Sequence, residues 1–367
     1  MSIQRKLMIG LVLFLSILIL WYQLRQRNVI SKLPSNVEEA RKMSQQWQLE
    51  KETPIEPFGI FTSQETDMAN ELTNVSTPLG GAGKIQTYNL KSMRDLPLKE
   101  FIIKSSYNSA CTGNFMNKDM IKYVLSRGCR FIDMQLYYSS EDQRVYVSSF
   151  MPDNITKTVK KDLSLDDALN TINTFAFAGP SPNLGDPLFI QFRFNINNRY
   201  GINKYKDTMV QYVANTLNNT MADRFYGAGK QVDIATKMSD IMGKFVIVSD
   251  TAIVDKDGVN LVNMQVGNAP FPRFTSQDVD SYMSNYLVVD PTTKQSNTNL
   301  IRFVEPVAGD SSNLPGMRIM NQYTAQVVEQ MYWRLEKNLT DYETMFFNYG
   351  TAFVPLYLAK DYFTNLK

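Results

Sequence analysis

From residue 96 onward, short β-branched and aromatic runs alternate with helical stretches, and that alternation constrains the fold more than any other feature. Candidate strands are Phe101–Ser105, Arg130–Tyr138, Arg144–Ser149, Pro187–Phe194, Lys244–Ser249, Asn260–Val266, Asn299–Val304 and Gln326–Trp333. Helical patterns over Met116–Ser126, Ser164–Phe175 and Lys204–Met221 lie between them, the second opened by a capping serine and two aspartates. Eight strands alternating with helices predict an α/β chain folded as a (β/α)8 TIM-type barrel. The last strand is ambiguous, because Ala325–Lys337 also reads as a helix.

The chemistry open to such a barrel is narrowed by one absence: the 367 residues contain no histidine. Histidine alone has an unperturbed pKa between pH 5 and 8, so the usual general base is missing, and with it Ser-His-Asp, Cys-His and mixed Cys/His zinc sites. Two cysteines, Cys111 and Cys129, build neither a four-thiolate metal site nor a disulfide framework. They read as buried core, or as one disulfide in an oxidising lumen. The 38 basic and 36 acidic side chains leave a net charge of +2, which disfavours nucleic acid as a partner.

Ahead of the barrel, Leu7–Leu24 is almost wholly apolar and as a helix would span about 27 Å, close to a bilayer core. Trp21 and Tyr22 stand at its end, followed at once by Arg25 and Arg27. No small-residue cleavage site follows, so a single-pass anchor is favoured over a cleaved signal peptide. Ser35–Glu52 reads as a polar surface helix, and Thr53–Leu96 as a linker. Within that linker, Gly80–Lys84 lacks the spacing of a phosphate-binding loop. The predicted organisation is an anchor (1–27), a polar helix and linker (28–95), and the barrel (96–367). Sequons at Asn74, Asn154, Asn218 and Asn338 matter only if the body faces a lumen or the outside.

Within the barrel the segments FIIKSSYNSACTGN (Phe101–Asn114), VLSRGCRFIDMQLY (Val124–Tyr137), RVYVSSF, PLFIQFRFN and MGKFVIVSD follow one another in a telling order. They resemble the X region of phosphoinositide-specific phospholipase C. LIRFVEP and GDSSNLPG (Leu300–Gly316) more faintly resemble its Y region, giving an X-like part over 96–250 and a Y-like part over 251–360. The resemblance implies a TIM-type barrel that cleaves inositol lipids with two histidines, helped in eukaryotic members by calcium bound to Asn, Glu, Asp and Glu.

Carried over by position, Tyr107 stands for the first histidine and the Val147–Phe150 stretch for the second. Asn108 is kept from the calcium set, while Asp133, Gln135 and Arg193 replace its three acids. Calcium seeks six to eight oxygens, several anionic, and this set offers one charge beside a guanidinium. Tyrosine, with a pKa near 10, is a poor base at neutral pH. Bacterial members place an arginine where eukaryotic ones bind calcium, but they retain both histidines, so Arg193 restores no acid–base partner. The expected role of Arg193 is an ion pair with Asp133. Arg302 stands where the family places a substrate-phosphate arginine, so Arg193 and Arg302 are the candidate anion ligands.

The expectation is therefore a membrane-anchored pseudoenzyme with no catalytic residues, cofactor or metal. It would serve as a structural or binding module with protein partners in a membrane-associated assembly, such as a virion or an organellar complex. Two alternatives stay open, a phospholipid phosphodiesterase of altered mechanism and a non-hydrolysing phosphoinositide binder. Tyr137, Tyr138 and Phe150 form either a lipid-facing rim or ordinary packing.

Overall fold

The computed structural model describes residues 63–75, 85–88, 95–196, 205–279 and 287–365. The apolar run Leu7–Leu24, the polar segment Ser35–Glu52 and the glycine run Gly80–Lys84 lie outside the described residues. Among the described residues, no helix is long and apolar enough to cross a membrane.

The strands are β1 (Phe101–Ile103), β2 (Ser105–Ser106), β3 (Phe131–Ser139), β4 (Arg144–Ser148), β5 (Leu163–Ser164), β6 (Leu188–Phe194) and β7 (Phe245–Ser249). They continue with β8 (Met264–Gln265), β9 (Arg273–Thr275), β10 (Phe303–Glu305), β11 (Val327–Val328) and β12 (Phe353–Pro355). The helices are α1 (Ser63–Val75), α2 (Lys118–Ser126), α3 (Leu165–Phe175), α4 (Lys206–Met221), α5 (Met238–Ile241), α6 (Gly316–Tyr323), α7 (Lys337–Tyr349) and α8 (Leu356–Asn365).

Parallel ladders run β2–β3–β6–β7–β8 on one side and β1–β11–β10–β9 on the other. Because β1 and β2 are one chain segment broken only at Lys104, the two sheets share a stave. The result is a barrel of eight parallel staves, with no ladder between β8 and β9 among the described residues. The sequence predicts eight strands, but not quite these eight. Arg144–Ser149 is not a stave, because β4 folds back antiparallel onto β3 as a hairpin. The missed stave is β9, three residues long, whose apolar signal is too short to stand out. The ambiguous Ala325–Lys337 stretch holds strand β11 rather than a helix.

Strand pleat divides the core in two. Outward-facing Ile132, Met134, Leu136, Ile190, Phe192, Ile247, Val304 and Val328 pack with the helices. Inward-facing Phe101, Ile103, Phe131, Phe189, Val246, Val248, Phe303 and Val327 fill the lower barrel, with Phe353 of antiparallel β12 added to them. Near-complete burial on both faces explains why these strands read as continuous apolar runs.

The stretch read as a linker contributes to this body. Helix α1 lies within it, Val75, Ile85 and Tyr88 are buried, and the Tyr88 N–H donates to Asp186 Oδ1 at 2.7 Å. Helix α3 starts as the sequence predicts, with Ser164 Oγ accepting from the Asp167 N–H at 3.1 Å. Cys111 and Cys129 are both free and buried.

Candidate functional site: the charged upper layer of the barrel

One or two pleat steps above the aromatic floor, the inward positions change from apolar to polar. Phe131 gives way to Asp133 and Gln135, Phe189 to Gln191 and Arg193, Phe303 to Glu305, and Val327 to Glu329. All of them are buried, Asp133, Gln191 and Glu329 completely. These are the C-terminal ends of the staves, where barrels of this kind place their chemistry.

Arg193 organises the layer. Its Nε donates to Asp133 Oδ1 at 2.8 Å, and Nη2 donates to Asp133 Oδ2 and to Asn108 Oδ1, both at 2.7 Å. Its guanidinium lies 4.5 Å from the centre of the Tyr107 ring. Asp133 also accepts from the Asn108 N–H at 2.9 Å and from Gln191 Nε2 at 3.0 Å. Asn108 is held at φ 40°, a left-handed conformation that asparagine tolerates better than most residues. Gln191 Nε2 also donates to Glu329 Oε1 at 3.0 Å. Around this centre, Arg273 Nη2 pairs with Asp250 Oδ2 at 3.0 Å, and Glu305 lies 3.9 Å from both Arg193 and Arg273.

Burial sets the protonation states. Desolvation pushes Glu329 well above the usual carboxylate range, and the nearby Asp133 and Glu305 push it further. Desolvation also raises Glu305, although Arg193 and Arg273 oppose it. The Tyr107 phenol is raised mainly by burial, against the pull of Arg193, and so stays protonated, leaving no phenolate to act as a base. Arg193 is penalised by burial, yet Asp133, Tyr107 and Glu305 more than offset that and hold it charged.

Four sequence-predicted residues, Tyr107, Asn108, Asp133 and Arg193, thus meet in one cluster. Gln135 sits beside it with its amide oxygen occupied, accepting from the Phe150 N–H at 3.0 Å. The Val147–Phe150 stretch is equally committed: Ser148 Oγ donates to Asp162 Oδ1 at 2.6 Å, and Ser149 Oγ accepts from Asn108 Nδ2 at 3.1 Å. Tyr137 is packed rather than presented, with its hydroxyl on Asp162 at 2.6 Å and its ring under Lys157.

Arg302, the other candidate anion ligand, lies apart from Arg193. It precedes β10 by one residue and lies at the N-terminal end of the stave, while Arg193 stands near the C-terminal end of β6. The sequence reading missed Glu305, Glu329, Gln191 and Arg273. A charge or amide spaced two residues beyond an inward aromatic or valine was the available signal for the first three.

Calcium does not fit this donor set. Both Asp133 oxygens, the Asn108 amide oxygen and the Gln135 amide oxygen already accept hydrogen bonds, three of them from a fixed cation. Among the described residues, no group of three carboxylates or thiols is arranged to hold a metal ion. The rim is braced from outside by Glu71 of α1. It accepts from Thr112 Oγ1 at 2.7 Å, from the Asn114 N–H at 3.1 Å and from the Asn114 side chain.

Comparison with known proteins agrees with the X-like reading. Residues 94–250 match the family described as phosphatidylinositol-specific phospholipase C, X domain. The fold is similar to that of L. pealei PLC21, with a TM-score of 0.55 and 13% identity over 71% of this chain and 37% of that one. It is also similar to S. officinalis PLC21, with a TM-score of 0.53 and 13% identity over 83% of this chain and 42% of that one. This chain therefore spans about two fifths of the length of those structures, and at such identity the likeness establishes fold alone. No curated protein matches the sequence. With an X region matched in sequence and a barrel matched in fold, the chain is phospholipase C-like.

Proposed function

We propose that this is a catalytically inactive phospholipase C-like barrel, retained as a structural or binding module and held at a membrane through residues 7–24. The observation that carries the first half is the Arg193–Asp133 pair. The residue that keeps a ligand-type carboxylate has both oxygens on a guanidinium in the charged layer. Acid–base catalysis needs a group poised near the working pH. Tyr107 is displaced further above neutral pH, and Glu329, although raised toward it, has no exposed surface from which to meet a substrate. The second half rests on the apolar run Leu7–Leu24 and on the surface that a barrel keeps for partners once its chemistry is lost.

The test is turnover. Full-length protein in detergent, offered a panel of phospholipids with and without calcium, should release no headgroup. Release that disappears in Asp133→Asn or Tyr107→Phe would replace this reading with a phosphodiesterase of altered mechanism. Assembly is tested separately, by fractionating native membranes: the chain should sediment with them in a stable complex. A strictly monomeric detergent-solubilised protein without partners would remove the module role.

A further inference from the structure

At the opposite end of the barrel from the charged layer, Arg302 is 9% exposed and has no carboxylate partner among the described residues. The one side-chain group it bonds is neutral, with Nη1 donating to Thr298 Oγ1 at 3.2 Å. Two of the three other buried arginines of the barrel bond an acid, and the third has its guanidinium held by neutral acceptors, whereas Arg302 has a single neutral side-chain partner. Arg127 has Glu343 and Arg193 has Asp133, while Arg130 has two backbone carbonyls and Ser181. A guanidinium taken out of water without a counter-charge is costly, and burial alone lowers the pKa of Arg302.

The side chain lines a cavity of about 190 Å³ together with Asn297, Thr298, Asn299, Leu300 and Thr324. A second cation stands at its edge, as Lys99 Nζ donates to the Thr298 carbonyl at 2.8 Å and contacts Asn299 Oδ1 at 3.5 Å. The nearby acid, Glu100, is bound through one oxygen only and faces Lys99 with the other, which makes no hydrogen bond. Its Oε2 accepts from the Ser296 N–H at 2.8 Å and its Oε1 lies 3.8 Å from Lys99 Nζ.

The walls are also fixed in place. Gln326 accepts from the Arg302 N–H at 2.8 Å, and its Nε2 donates to the carbonyls of Lys99 at 3.0 Å and Leu300 at 2.9 Å. One buried amide thereby clips three chain segments around the cavity.

We infer that this cavity at the N-terminal end of the barrel binds a phosphate-class oxyanion, with Arg302 as its principal ligand and Lys99 and the Asn297 and Asn299 amides around it. An oxyanion supplies the missing counter-charge, and a guanidinium fork matches its geometry. The site is independent of the charged layer and holds whether or not the barrel turns over lipid.

The experiment titrates full-length protein in detergent with inorganic phosphate, against chloride of matched ionic strength, following the thermal midpoint and the heat of binding. Saturable binding is expected, weakened about tenfold or more in Arg302→Gln. A wild-type protein that responds no more to phosphate than to chloride overturns the assignment, as does an Arg302→Gln variant that titrates like wild type. Should that variant fail to fold, Thr298→Val and Lys99→Gln carry the test, each expected to weaken binding and overturning the site if neither does. Vesicles of phosphatidylcholine with and without phosphatidylinositol phosphate identify the source. Arg302-dependent capture assigns a lipid headgroup, and phosphate binding without capture assigns a free oxyanion.

Discussion

Arg193 reaches diagonally across two strands to Asp133. Its own ladder partner on β3 is Gln135, and the partner of Asp133 on β6 is Gln191. The guanidinium therefore leans one pleat step down, toward the floor of the barrel, to make its two bonds at 2.8 and 2.7 Å. Diagonal neighbours on one sheet face are within reach of a long side chain, so a single arginine closes the polar layer over the aromatic one. Phe131 and Phe303 lie directly beneath, with ring centres 5.6 Å apart.

Breaking one side of that pair should already incur most of the cost of removing both. Asp133 is fully buried and Arg193 nearly so. Asp133→Ala or Arg193→Ala should each cost about 3–5 kcal/mol in urea unfolding, because each leaves a buried charge uncompensated. The double variant should cost clearly less than the sum of the two. Additive losses in the double-mutant cycle would show that the two side chains do not depend on each other.

Calcium should leave the protein unchanged. A ligand that binds only the folded state raises its stability by RT ln(1 + L/Kd), with L its free concentration, so tight binding shows as a midpoint that climbs with ligand concentration. With the candidate oxygens held by Arg193 and by the Phe150 N–H, millimolar calcium or a chelator should move the thermal midpoint no more than magnesium does. A calcium-specific rise that grows with calcium concentration and is reversed by the chelator would mean that Arg193 swings out and that the site is a metal centre after all.

The barrel was legible because its strands are buried on both faces and so stand out as unbroken apolar runs. The first four staves, β1/β2, β3, β6 and β7, appear in the sequence within a residue or two of their ends. The later ones are two or three residues long, as with β8, β9 and β11, and too little apolar chain marks them. The X-like half of the site was legible through the resemblance, which fixes Tyr107, Asn108, Asp133 and Arg193 by their position within the matched segments. Glu305 and Glu329 close short strands, where a terminal acid looks like ordinary solvent exposure. Only the ladder register shows that both point inward. The position of Arg302 needed register as well, because resemblance fixes order along the chain and not which end of a stave faces the mouth.

Outside the barrel wall, Glu343 on α7 is shared by two buried cations. Lys104 Nζ lies 2.9 Å from Glu343 Oε1, and Arg127 binds both carboxylate oxygens. Lys104 has no exposed surface and its pKa is lowered, by desolvation first, with Glu343 opposing. Glu343→Gln should therefore destabilise by about 3 kcal/mol or more in chemical denaturation, beyond the usual cost of losing one hydrogen bond. The same change paired with Lys104→Met should recover part of the loss. A Glu343→Gln variant within about 1 kcal/mol of wild type would mean that Lys104 is readily accommodated in its neutral form.

Glu329 should make the protein less stable as pH rises. Burial raises its folded pKa well above the unfolded value of about 4.3, with Asp133 and Glu305 adding repulsion and Arg193 and Arg273 opposing it. Between those two values the folded state binds more protons than the unfolded state. Its contribution is complete below about pH 4.3 and is lost as pH climbs toward the folded pKa. Glu305 is raised in the same direction, so the two acids share this window. Glu329→Gln keeps an amide oxygen to accept from Gln191 and removes the titration. Denaturation midpoints should then fall less between pH 5 and 8 in the variant than in wild type, with the variant at least as stable at pH 8. A variant destabilised equally at both ends of that range would show that Glu329 carries its charge in the folded barrel and that the upper layer is held together by ions alone.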